Sequence, residues 1–246
     1  VHKGFTKSEE GLYDEFEERT PYWDYRTDNY ASISVRDSKL TLCSGPTEAL
    51  YYSNAEISDG RFDDLPWETK TFEAKLRMSQ LHYGSAGWGF WNHSMLFSLS
   101  RPIWFIHLQS RGPYIFQGFF AQAVTGFIPI KIYRGSLLAP SLISRLTGGA
   151  IGVTIYTHKP VLQNLDLTDW HTYKIEWLKT EAKYYIDGSL VARLPINAGS
   201  FKARADIWID NAVFGYNRRD AGQVYRHLTQ ENRSKSCIEV EYIKIY

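Results

Sequence analysis

The run ARADIWIDNAVFGY sets two carboxyls, Asp206 and Asp210, within period-2 hydrophobicity. Ile207, Ile209 and Val213 fall on one face, and Asp206, Trp208, Asp210 and Ala212 on the other, as in a strand with one buried side. Two carboxyls on one face are the raw material of acid–base chemistry, in which one group donates a proton and another accepts it. Their spacing works against a direct partnership. Four residues of strand span about 13 Å, whereas carboxyl pairs that cleave an acetal stand roughly 5–5.5 Å or 6.5–9.5 Å apart. Each aspartate therefore needs a partner from a neighbouring strand.

The run RPIWFIHLQS supplies a third candidate, His107. Trp104, Ile106 and Leu108 are uniformly apolar and read as the core-facing set. That leaves Ile103, Phe105, His107 and Gln109 on the opposite face. An imidazole there suits proton transfer, because it titrates near neutrality. Trp88, Phe90 and Trp91 in GSAGWGFWNHS, together with Trp208, are candidate stacking surfaces for a sugar ring or another flat ligand; packing between strands is their other use.

These residues need a sheet to position them, and the sequence is rich in strand signals. In DWHTYKIEWLKTEAKYYIDGSLVARLP, His171, Tyr173, Ile175 and Trp177 alternate with more polar residues. Asp187-Gly188 then marks a tight hairpin before Leu190–Leu194. Ile33–Val35 and Leu40–Leu42 read as a hairpin around Asp37-Ser38, and Tyr51–Ile57, Thr71–Met78 and Ala205–Val213 as further strands. About a dozen strands with hardly any helix predict an all-β chain, a two-sheet antiparallel jelly roll. At 246 residues it reads as one domain, 1–246. An apolar insertion around 127–157 is either a flap on the sandwich or a lid over a ligand site.

The W-H-T-Y-x-I-E-W run, the polar gap, Y-Y-I-D-G-x-L-V and the closing CIEVEYIKIY resemble the late strands of glycoside hydrolase family 16, the laminarinase and lichenase group. The resemblance implies a concanavalin A-like jelly roll with a saccharide groove. It also implies catalytic carboxylates at alternate positions of one strand, in an E-x-D-x-E or E-x-D-x-x-E pattern. By order along the chain that strand is 101–110, which contains no acid, so hydrolysis by the family's mechanism is not expected. The family's structural calcium would draw on backbone oxygens near the N-terminus and a carboxylate of the last strand, here Glu241. No other cofactor is implied. The resemblance leans toward a secreted or extracytoplasmic setting.

Charge is balanced at +1 but unevenly placed. From Ala74 to Leu165 there is no Asp or Glu, while Lys75, Arg77, Arg101, Arg111, Lys131, Arg134, Arg145 and Lys159 carry positive charge. A groove lined by this block would favour anionic or neutral ligands. Nothing in the overall charge points to nucleic acid, and no apolar run is long enough for a membrane span. Oligomeric state is left open. Cys43 and Cys237 pair if their strands are neighbours.

Three readings follow. The first is a saccharide-binding protein that has the scaffold and aromatics without the acids. The second is an isomerase- or cyclase-type enzyme acting on an apolar small molecule, with His107 and Asp206 or Asp210 moving protons. A polysaccharide lyase ranks third.

Overall fold

A computed structural model describes residues 2–47, 52–59, 64–79, 84–92, 101–108, 118–123, 130–133, 165–196, 199–214, 225–227 and 235–246. The described chain forms two large antiparallel sheets packed face to face, a jelly-roll sandwich. One sheet joins β1 (Phe5–Lys7), β2 (Leu12–Asp14), β18 (Ser236–Ile245), β7 (Thr71–Met78), β12 (His171–Trp177), β13 (Glu181–Ile186) and β14 (Ser189–Pro195). The hairpin of β4 (Ser32–Arg36) and β5 (Lys39–Ser44) joins it at β18. The second sheet runs β11 (Ile130–Tyr133), β10 (Gly118–Gln122), β9 (Ile103–Leu108), β8 (Ala86–Trp91), β15 (Arg204–Asp210), β6 (Asn54–Ser58) and β3 (Asp24–Asp28). A short pair, β16 (Ala212–Phe214) and β17 (Tyr225–His227), stands apart.

The hairpins form where the sequence marks them. Asp37 and Ser38 both take positive φ (52° and 51°), and so do Asp187 and Gly188 (49° and 80°). Two successive positive-φ residues match the right-handed twist of the strands they join. β7 has a strictly alternating burial pattern, with Phe72, Ala74, Leu76 and Met78 inside. Cys43 and Cys237 face each other in register across β5 and β18 and form a disulfide. Near the N-terminus, Phe16 and Trp23 enter the core, and Tyr22 and Tyr25 pack against it.

The core between the sheets is strongly aromatic. From the second sheet come Trp88, Phe90, Phe105 and Phe119, and from the first come Tyr173, Trp177 and Tyr184. Phe105 stacks parallel to Phe119 at 5.6 Å and meets Tyr173 and Tyr184 edge-on at 5.2 Å each. This corrects the expected sidedness of β9. Ile103 and Phe105 point inward, and Trp104 and Ile106 point out of the sandwich into a separate cluster with Phe120. His107 follows Ile103 and Phe105 in parity, so it belongs to the inner side rather than the groove. β15 follows the expected pattern, with Ile207 and Ile209 inside.

Candidate functional site

The outer face of the seven-stranded sheet can be followed in rows, because residues opposite one another in register share a face. One row reads Arg26, Glu56, Trp208, Gly87, Ile106 and Phe120, from β3 to β10. The next reads Asp24, Ser58, Asp206, Gly89, Trp104 and Gln122. Asp28, Asn54 and Asp210 form part of a third, and Arg204 lies opposite Trp91. Each long row is charged or polar on β3 and β6 and apolar by β9.

Three indoles cluster on the apolar side. Trp104 lies 4.5 Å from Trp208 and 5.5 Å from Trp91, centroid to centroid. Trp91 and Trp208 are half-buried, and Trp104 is 9% exposed. The Trp104 indole N–H donates to Gln122 Oε1 at 2.8 Å, which fixes the ring. The Trp208 ring lies over Gly87, where a Cβ would come within 2.0 Å of the indole. Glycine is required there because the neighbouring strand must leave room for a flat ring.

The polar side is built around Asp206 and Glu56, which sit diagonally across β15 and β6. Arg26 donates to Glu56 Oε2, Asn54 Nδ2 donates to the same oxygen at 3.3 Å, and Arg204 Nε approaches Asp206 Oδ2 at 3.8 Å. Asp206 and Glu56 also contact each other. Two carboxyls hydrogen-bond only when one carries a proton. Burial pushes Asp206 well above the usual carboxylate range, and the Glu56 charge adds to the push, against the pull of Arg204 and Arg26. Burial also works to raise Glu56, but its bonds to Asp206 and Arg26 outweigh it and leave Glu56 below its usual range. Asp206 therefore holds the shared proton and Glu56 the charge. Asp206, at the position the sequence flagged, has its partner; Glu56 was not legible, because only the sheet order brings β6 beside β15.

Asp210 does a different job. Its Oδ1 accepts from Ser85 N–H (3.1 Å), Ser85 Oγ (2.7 Å) and Ala212 N–H (2.9 Å), and Tyr52 Oη donates to Oδ2 at 3.3 Å. Burial raises it to about 6, even against these bonds. It ties the end of β15 to the loop before β8. Asp59 plays the equivalent part beyond β6, accepting from Trp67 Nε1 and from Ala205 N–H (2.6 Å), and burial raises it to about 7.

The remaining expected residues are placed as follows. Trp88, Ile103 and Phe105 are fully buried between the sheets. His107 retains partial surface exposure, but its Nδ1 is enclosed; burial lowers its pKa to about 4, opposed by a hydrogen bond with the Gly84 backbone. It is therefore neutral near pH 7. Gln109 and most of the 127–157 insertion lie outside the described residues. Glu241 is on the other sheet, ion-paired to Lys75 at 2.7 Å. Among the described residues no group of three or more His, Cys, Asp or Glu could hold a metal ion. Of the cations of the acid-free block, Lys75 and Arg77 pair with Glu241 and Glu239 on the other sheet, while Lys131 lies opposite Phe120 in the register.

The open two-sheet jelly roll is shared with solved structures of glycosidases. The catalytic domain of a laminarinase from Thermotoga petrophila matches with a TM-score of 0.54, covering 95% of each chain at 15% identity. The κ-carrageenase of Pseudoalteromonas carrageenovora, in complex with an oligotetrasaccharide of κ-carrageenan, matches at 0.55, covering 100% of this chain and 96% of its own at 13% identity. A β-1,3-glucanase from Mycobacterium marinum matches at 0.56 and 11% identity over 95% and 97%. The fold is that of family 16-type glycosidases. No protein-family model matches the chain, and no curated protein matches it in sequence. No helix among the described residues is long and apolar enough to cross a membrane.

Proposed function

We propose that this protein binds a saccharide on the outer face of its seven-stranded sheet and does not cleave it by the family 16 mechanism. The observation that carries this reading is the cluster of Trp91, Trp104 and Trp208 on the face that also holds Asp206 and Glu56. A broad indole surface with a few convergent polar groups is the usual make-up of a small-ligand site. Jelly-roll relatives named for acting on β-1,3-glucan and κ-carrageenan make polysaccharide the first ligand class to test. The outward positions of β9 are Trp104 and Ile106, neither of which can serve as nucleophile or acid. Asp206 and Glu56 are in hydrogen-bond contact, closer than the roughly 5–5.5 Å of a retaining pair or the 6.5–9.5 Å of an inverting one.

One observation favours a second reading, an isomerase-type enzyme for an apolar molecule. Ile106 and Phe120 bring no hydrogen-bonding group, and the Trp104 N–H is already committed to Gln122. In that reading Asp206 supplies the proton and Glu56 recovers one.

Incubation with laminarin and lichenan, read by reducing-end release, tests the first half of the proposal, and tryptophan fluorescence during titration with laminarihexaose tests the second. The expected result is no release together with saturable quenching. Release abolished by changing one carboxylate contradicts the non-hydrolytic assignment. Absence of quenching by any neutral or sulfated oligosaccharide, with quenching by an apolar ligand, transfers the case to the second reading.

A further inference from the structure

Four buried oxygens on the polar half of this face receive no hydrogen from a protein donor: both carboxyl oxygens of Asp206, Glu56 Oε1 and Asn54 Oδ1. The residues that carry them are only 1%, 5% and 3% exposed. Such groups are normally satisfied, since a lone buried acceptor loses its hydration without compensation. The orientation of Asn54 is not ambiguous. Its Nδ2 is turned to Asp28 Oδ2 (3.4 Å) and Glu56 Oε2 (3.3 Å), which a flipped amide would face with an oxygen. One proton between Asp206 and Glu56 satisfies their mutual contact and leaves Asn54 Oδ1 and a further Asp206 oxygen still in need of donors.

What completes the cluster must therefore bring at least two O–H or N–H donors. Its charge narrows the choice. Glu56 is matched by Arg26, Arg204 stands against Asp206, and Asp24 and Asp28 on the same face are further acids. A sulfate or carboxylate entering here would meet Asp24, Asp28 and Glu56, with Arg26 bonded to Glu56 and Arg204 beside Asp206. A free cation would meet two arginines. Neutral hydroxyls fit both constraints, because each donates to a carboxyl or amide oxygen. Trp208, directly opposite Glu56 in the register, supplies a flat surface alongside.

We propose that Asp206, Glu56 and Asn54 form a subsite that receives neighbouring free hydroxyls of a neutral sugar ring whose face lies against Trp208, so that the groove selects neutral over sulfated saccharides. This rests on the saccharide-binding reading above and specifies its substrate class. It reverses the preference that the acid-free stretch of sequence suggested, because the polar half of this face is built from β3, β6 and β15, which lie outside that stretch.

The test is calorimetric titration of the intact protein with laminarihexaose, with a sulfated κ-carrageenan hexasaccharide, and with Ca²⁺ alone. Asp206→Asn and Glu56→Gln are compared with wild type, and thermal melts establish that each variant is folded. The subsite predicts that laminarihexaose binds wild type at least tenfold more tightly than the sulfated hexamer, and that each substitution weakens it about tenfold or more. Laminarihexaose binding that both variants retain at wild-type affinity overturns the subsite, with water completing the oxygens, and leaves the tryptophan platform standing. Tighter binding of the sulfated sugar overturns the charge assignment; that comparison uses wild type alone and survives a variant that fails to fold. Micromolar Ca²⁺ binding lost in Asp206→Asn makes the occupant a cation and overturns the proposal. Binding of neither sugar removes the subsite together with the saccharide reading.

Discussion

The two halves of the seven-stranded sheet's outer face are built by different means. On β8, β9 and β10 the outward residues are Trp91, Trp104, Ile106 and Phe120, with Gly87 left bare for the Trp208 ring. On β3, β6 and β15 they are Asp24, Arg26, Asp28, Asn54, Glu56, Arg204, Asp206 and Asp210. Apart from Trp208, the aromatic half comes from one continuous stretch of chain without an acid. The polar half is gathered from three strands far apart in sequence. A block of composition thus becomes a region of surface, while a cluster of charge exists only after folding. The aromatic half is held by dispersion and apolar burial, which do not respond to proton concentration. The polar half is held by buried carboxyls, which do.

The largest expected effect lies under the aromatic half. Phe105 is fully buried against Phe119, Tyr173 and Tyr184. Phe105→Ala should cost about 3–5 kcal/mol, measured by denaturant unfolding, and by the same amount at pH 5 and pH 8. A loss below 1 kcal/mol, accompanied by weakened ligand binding, would return Phe105 to the groove.

Asp59, the buried carboxyl just beyond β6, should behave otherwise. Burial raises Asp59 from the ordinary 3.8 to about 7. A carboxyl raised in the folded state contributes stability that is complete below about pH 4 and is lost as pH rises through about 7. Asp59→Asn cannot ionise, so its stability relative to wild type should improve across that window, by on the order of 1–4 kcal/mol. Its absolute stability starts lower, because Trp67 Nε1 and Ala205 N–H both donate to the carboxylate. His107, lowered to about 4, titrates in the opposite sense but is common to both proteins and cancels in the difference. Parallel melting curves for the two proteins from pH 4 to pH 8 would show that the Asp59 pKa is not raised in the folded protein.

The same contrast explains what could be read from sequence. Hairpins at Asp37-Ser38 and Asp187-Gly188, the alternation of β7 and β12, and the two-sheet class were legible because polarity changed sign at every residue. In β15 that contrast correctly turned Asp206, Trp208 and Asp210 outward. β9 offers no contrast: Ile103, Trp104, Phe105 and Ile106 are all apolar, so a shift of one residue leaves the pattern unchanged while exchanging the faces. The one titratable side chain of the strand, His107, does not mark the groove either: it follows Ile103 and Phe105 in parity, with its Nδ1 enclosed. Nor could Glu56 have been paired with Asp206, since a diagonal contact between β6 and β15 depends on strand order, which sequence periodicity does not contain. The Cys43–Cys237 pairing has the same dependence, since it needs β5 beside β18.

The account stands most directly on Trp208, where the two halves meet: Gly87 beneath its ring, Trp104 at 4.5 Å and Glu56 across the ladder. Its substitution should touch recognition before stability, because the residue faces outward and is half-buried. The deciding measurement is calorimetric titration of Trp208→Ala with laminarihexaose beside wild type. We predict affinity lower by about 10- to 100-fold, roughly 1.4–2.8 kcal/mol, with the melting temperature shifted by only a few degrees. Unchanged affinity in a folded variant would contradict the central claim that this face holds the ligand.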